Sequence, residues 1–228
     1  TARKILTPKG VGVEFSRFSP DGEQGMPGEL HVKVAYTLNL KNELTIEYTA
    51  VSDRPTPVNL TNHAYFNLKG YNGGTIYDQE LQLDCSKFVE VSDKLIPTGK
   101  FLSVEENPVF DFRKPKLLGK DIEKTGNGYD HAYCVDDFDG HLKKFAVLKD
   151  PESGRTMTVS TTLPGCQVYT GNWIEGSVGK NGFVHKRHGA VCLETESYPD
   201  TPNHPEFPSC IVTPDKQYHE ITVYKFDF

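Results

Sequence analysis

The sequence predicts an all-β protein, a sandwich or barrel of short antiparallel strands, and three observations carry that prediction. Along most of the chain the residues alternate with a period of two. Leu30, Val32, Val34, Tyr36 and Leu38 interleave with His31, Lys33, Ala35, Thr37 and Asn39, the pattern of a strand with one buried face. The 20 Gly and 15 Pro fall between such runs, where turns need them. No stretch keeps a sustained 3.6-residue period, so helices contribute little.

In chain order, the first strand is expected at 11–18. Residues 30–40 and 44–50, joined at Lys41-Asn42, read as an antiparallel hairpin with a polar outer face. Further strands are expected at 57–61, 80–83, 88–91, 131–135, 145–149, 156–162, 166–170, 189–195 and 218–228. The last, with Ile221, Val223 and Phe226, reads as a closing strand. Residues 116–124 are the best helical candidate, held to one or two turns by Gly119. Gly70-Tyr71-Asn72-Gly73-Gly74 reads as a flexible loop within one domain. No repeat, low-complexity segment or linker divides 1–228.

Composition excludes several classes. A chain of 228 residues with 36% hydrophobic and 25% charged residues can bury a core. A net charge of −6 argues against nucleic acid as a partner. No apolar run approaches the roughly 18–20 residues of a membrane span. Five widely spaced cysteines without a C-x-x-C pair disfavour a disulfide framework or a zinc knuckle. With no signal peptide visible, they fit a reducing cytosol. On the same logic the Asn59-Leu60-Thr61 sequon is read as chance. The chain starts at Thr1 and not Met, as a mature product, trimmed chain or fragment does.

Five segments carry more than composition does. Ser19-Pro20-Asp21-Gly22-Glu23-Gln24-Gly25-Met26-Pro27-Gly28 is a turn. Asn62-His63-Ala64-Tyr65-Phe66-Asn67 sets a His among amides and aromatics. Tyr129-Asp130-His131 follows a Gly turn. Gly165-Cys166-Gln167-Val168-Tyr169-Thr170-Gly171-Asn172 strings a Gln, a Tyr and an Asn along one strand. Leu193-Glu194-Thr195 puts an acid inside an apolar strand. In this order and spacing they resemble the aldose 1-epimerase (galactose mutarotase) family over essentially the whole chain, as the C-terminal two thirds of its domain. The resemblance implies a large antiparallel β-sandwich of the galactose mutarotase-like supersandwich kind. It also implies an isomerase that interconverts α and β anomers of free hexoses such as galactose and glucose. By the same resemblance His63 is the general acid and Glu194 the general base, while Ala64, Tyr65, Asp130 and Gln167 contact the sugar.

The residue types suit that chemistry. One group removes the C1 hydroxyl proton, another gives a proton to the ring oxygen, and each contributes typically 10²–10⁴-fold. No redox step is needed, so no cofactor and no metal is expected. A Glu beside apolar Cys192 and Leu193 should have its pKa pushed up. Asn62, Asp130 and Gln167 can bond sugar hydroxyls, and Tyr65, Phe66 and Trp173 can stack on a sugar. Structural alternatives stand beside each reading. His63 can be a hydrogen-bonded loop His, Glu194 an ion-pair partner of Arg187 or Lys186, Asp130 a turn residue, Gln167 a solvent-facing one and Trp173 core. His185, His188 and Cys192 raise a metal site without a matching second pair. Glu196 shares the face of Glu194 if the strand continues, as in a glycosidase carboxylate pair, but Tyr198-Pro199 favours a turn there.

Family members typically run well over 300 residues. Their first third supplies an Asn-Arg pair and a His-Gly-Gly motif, and neither occurs in this sequence. Either an N-terminal segment of the same protein exists elsewhere, or the homologue is shortened, with open sheet edges and bare apolar surface. A sugar-binding or regulatory homologue without catalysis is the alternative function. A hexose-6-phosphate epimerase ranks last, with only Lys180, Lys186 and Arg187 to meet a phosphate.

Overall fold

The computed structural model describes residues 1–8 and 10–228. Sixteen strands form among them: β1 (Ala2–Thr7), β2 (Gly10–Ser19), β3 (Leu30–Leu38), β4 (Glu43–Ser52), β5 (Thr56–Pro57), β6 (Glu80–Leu83), β7 (Lys87–Val91), β8 (Pro97–Ser103), β9 (Lys116–Leu117), β10 (Asp130–Cys134), β11 (Lys143–Lys149), β12 (Thr156–Thr161), β13 (Gly165–Tyr169), β14 (Cys192–Glu196), β15 (Ile211–Val212) and β16 (Tyr218–Asp227). The only helices among the described residues are short 3-10 turns.

All strand pairings are antiparallel. A nine-stranded sheet has the order β1-β2-β3-β4-β16-β12-β11-β6-β9, and a five-stranded sheet the order β14-β13-β10-β7-β8. The predicted hairpin is β3–β4. The Asn39 side chain closes it by accepting from the Lys41 and Glu43 amides at 2.8 and 3.1 Å, and Asn42 takes φ 59°, a conformation Asn tolerates better than most residues. The Asp21 turn between β2 and β3 is fixed by Gly28 N–H donating to Asp21 Oδ1 at 2.6 Å.

Alternation along both sheets builds one core between them. Ile46, Tyr48, Leu81, Leu83, Leu148, Met157, Val159 and Tyr224 from the nine-stranded sheet pack with Phe88, Tyr133, Cys166, Val168 and Leu193 from the five-stranded one. Two polar links tie the sheets through that core: Tyr224 Oη donates to Leu193 O at 2.7 Å, and the hydroxyls of Thr195 and Thr222 pair. All five cysteines are buried and free. At the other end of the large sheet Leu6, Val11, Phe15, Leu38 and Leu40 are exposed.

Several expectations change. The strand at 57–61 shortens to β5, and the following residues form the loop that carries His63. The helical candidate at 116–124 becomes β9 and two 3-10 turns, Leu118–Lys120 and Ile122–Thr125. Gly119 lies against Tyr77, where a Cβ would come within 2.6 Å of the Tyr77 Cβ. In the 70–74 loop the exposed Tyr71 ring meets Phe183 at 5.2 Å. No helix among the described residues is long and apolar enough to cross a membrane.

Candidate active site

β14 presents the site by simple alternation. Leu193 and Thr195 enter the core, so Cys192, Glu194 and Glu196 lie on the opposite face. The strand therefore runs through Glu196, and the turn expected there begins only at Ser197.

The loop after β5 is stapled across this face at both ends. Asn59 exchanges two hydrogen bonds with Ser197, donating to its carbonyl at 3.0 Å and accepting from its amide at 2.9 Å. Phe66 exchanges two backbone bonds with Val191, each 2.9 Å. Between the staples Asn62 Nδ2 bonds Tyr224 Oη at 3.0 Å and Tyr48 Oη at 3.3 Å. That anchorage corrects two expectations. The amide of Asn62 is turned to the core tyrosines, and Phe66 packs on Tyr224 at 5.0 Å, so neither faces a ligand.

His63 is left over the strand. Its Nε2 lies 3.6 Å from Glu194 Oε1, and its Nδ1 lies 3.4 Å from Cys192 Sγ. The first distance is too long for a hydrogen bond and short enough for strong electrostatic coupling. The Tyr65 ring stacks on His63 at 4.9 Å, and Tyr169 meets it edge-on at 5.7 Å. The His63 side chain is 52% exposed and that of Glu194 10%, so an open imidazole faces a sunken carboxylate. Burial pushes the Glu194 pKa up, His63 opposes that, and Asp130 adds to it, as the apolar setting predicts. Burial raises the Cys192 thiol far more, reinforced by Glu194 and Asp130, so the thiol stays neutral. The partner of Glu194 is thus His63, in place of Arg187 or Lys186. Ligand-type atoms of His63, Cys192 and Glu194 lie within 4.8 Å of one another, the one such group among the described residues. The other set does not converge: His188 bonds Tyr77 Oη at 2.8 Å, and His185 packs on Tyr71.

Asp130 and Gln167 meet beside this pair. Gln167 stands opposite Glu194 in the sheet and donates from Nε2 to Asp130 Oδ1 at 2.6 Å. They edge a cavity of about 450 Å³ that runs past Asn172 and Trp173 to Val89, Ala132 and Glu196. Trp173 is 73% exposed at its rim, in place of the core position weighed for it. The turn behind is held by Asn172 Nδ2 donating to Tyr129 O at 3.0 Å. Gly128, at φ 102°, must remain glycine, because a Cβ there would collide with the Asn172 side chain. Ala64 is exposed on the His63 loop. Sequence reasoning did not foresee Cys192 beside His63 or the Asn59 clamp. The alternation that places Glu194 also places Cys192, whereas nothing local marks the clamp.

Comparison with known proteins gives the family and the fold. The family model for aldose 1-epimerase matches residues 4–225. Galactose mutarotase of Bos taurus is 46% identical over 229 residues, covering 98% of this chain and 66% of that protein. Aldose 1-epimerase of Escherichia coli is 35% identical, again covering 98% and 66%. The solved structure of an aldose epimerase homologue from C. elegans superposes with a TM-score of 0.86 at 29% identity, covering 99% of this chain and 68% of that one. The chain therefore spans just under two thirds of the length of the curated relatives it matches.

Proposed function

The chain belongs to the aldose 1-epimerase family, and from that premise we propose that it interconverts the α and β anomers of a free hexose such as galactose or glucose. Glu194 removes the proton of the C1 hydroxyl while His63 Nε2 gives a proton to the ring oxygen O5. The C1–O5 bond breaks as C1 becomes an aldehyde carbonyl. Rotation about C1–C2 turns the other face of the carbonyl to O5. Reclosure returns one proton from O5 to His63 and one from Glu194 to O1, so atoms and charge balance over the cycle.

The observation that carries this reading is the 3.6 Å approach of His63 Nε2 to Glu194 Oε1, beside Asp130 and Gln167, which line a cavity. O1 and O5 share the carbon C1, so their acid and base must lie within a few ångströms of each other. A raised Glu194 pKa makes a stronger base. The neutral Cys192 thiol can donate to His63 Nδ1 or accept from it. That contact survives both protonation states of the ring while Nε2 gives up and regains its proton. Asp130, Gln167, Tyr65 and Ala64 bind the sugar, the first two through hydroxyls and Tyr65 also by holding the His63 ring.

Polarimetry of freshly dissolved α-D-galactose and α-D-glucose, with wild type and Glu194→Gln side by side, tests the proposal. Acceleration by the wild type and its loss in the variant are expected. A folded wild type that leaves both sugars at the spontaneous rate would leave a sugar-binding homologue as the reading.

A further inference from the structure

The acid–base scheme leaves Glu196 without a task. It follows Glu194 by two residues on the same face of β14, about 7 Å further along the strand, and lines the cavity that Asp130 and Gln167 edge. The residue opposite it is Gly165, over which the Tyr198 ring lies, 2.9 Å from where a Cβ would stand. Glu196 is half-buried, with no hydrogen-bond or ion-pair partner among the described residues. Its carboxyl oxygens are not sealed in the protein but open to the cavity. They cap no element and answer no cation, so they are placed to meet a molecule that enters it. The cavity is of small-molecule size, and neither His63 nor Glu194 lines it. It therefore holds the part of a ligand remote from the reacting atoms.

We propose that Glu196 is a specificity-determining residue whose carboxyl pairs with a hydroxyl of the bound aldose away from the anomeric carbon. The inference rests on the reading that this site takes a hexose. The chemistry agrees. Burial, with the charge of Glu194, pushes the Glu196 pKa up to about 8, so at neutral pH the group both donates and accepts, as a sugar hydroxyl does. The other titratable groups on its own strand and the elements around it are Cys192 and Glu194 on β14, Cys166 and Tyr169 on β13, Asp130, His131, Tyr133 and Cys134 on β10, Lys87 and Glu90 on β7, and Tyr198 in the following turn.

Calorimetric titration with D-galactose and its 2-, 3-, 4- and 6-deoxy analogues, on wild type, Glu196→Ala and Glu196→Gln, tests this at pH 7 and pH 9. Binding is read apart from turnover, so catalysis can fail while this claim stands. Glu196→Ala should weaken galactose about tenfold, the order of one lost hydrogen bond, and Glu196→Gln should recover most of it. One deoxy analogue should bind the wild type about tenfold more weakly than galactose and bind Glu196→Ala no more weakly than galactose does. Wild-type affinity should fall from pH 7 to pH 9, and that of Glu196→Gln should not. Unchanged affinity in Glu196→Ala, equal penalties for every analogue in both proteins, or no binding of any hexose by the wild type would overturn the assignment.

Discussion

The two faces of the five-stranded sheet are made by the same strands and do opposite things. Inward, Tyr133, Cys166, Val168 and Leu193 enter the common core. Outward, one residue along each time, Ala132, Gln167, Cys192 and Glu194 meet the loop of His63 or the cavity. Stability and chemistry are therefore interleaved at single-residue spacing, and a one-residue slip of β14 would exchange them. The division should show when neighbouring residues are changed separately.

The largest expected effect is on the outer face. Glu194→Gln should lower kcat about 10³-fold in the polarimetric assay and leave the unfolding midpoint in urea nearly unchanged, since it replaces a carboxylate by its isostere. Its neighbour should do the reverse. Leu193→Ala should cost about 3 kcal/mol in urea unfolding, while the folded fraction keeps kcat within a few-fold. Tyr224→Phe should blur the division, because its hydroxyl serves both the Leu193 carbonyl and Asn62, which anchors the His63 loop. It should cost about 1–2 kcal/mol and lower kcat several-fold.

The pH dependence of stability is a smaller effect. The Glu196 pKa rises on folding from an ordinary value of 4.5 to about 8. Between those values the native state holds a proton that the unfolded chain has released, so this group makes stability fall as pH rises from about 4.5 to 8. Glu194, also raised, acts with the same sign. Thermal melts of Glu196→Gln should be flatter than wild type across that window, and a parallel dependence would place the Glu196 carboxyl in solvent. Smallest of all, Gln167→Ala should raise KM a few-fold with kcat little changed, since Gln167 bonds Asp130 and neither His63 nor Glu194.

The parts of this account legible in the sequence are those set by local period. The β3–β4 hairpin, β2, β6, β7, β10 to β14 and β16 were all marked by alternation. The strands it missed are those in which another force decides. β1 is highly exposed and pairs at the sheet edge. β8 begins at Pro97 and bends at Gly99 with φ 84°. β9 and β15 are two residues long. In the site, His63 and Glu194 stood out by motif, but their approach depends on the Asn59–Ser197 clamp, which joins residues 138 apart in the chain. The sequence could not assign Asn62 to the core either. Its amide is as suited to a sugar as to a tyrosine hydroxyl, and only the position of Tyr48 and Tyr224 behind the loop decides.

The most direct test of the central claim, that His63 and Glu194 act as one acid–base unit on the outer face, is a mutant cycle read by the initial mutarotation rate of α-D-galactose. Wild type, His63→Asn, Glu194→Gln and the double variant are compared. Groups that serve a single proton relay are strongly non-additive, so the double variant should be no slower than the slower single one, and each single one should lose at least about 10²-fold. Rate losses that multiply in the double variant, or a single variant that retains the wild-type rate, would contradict the account.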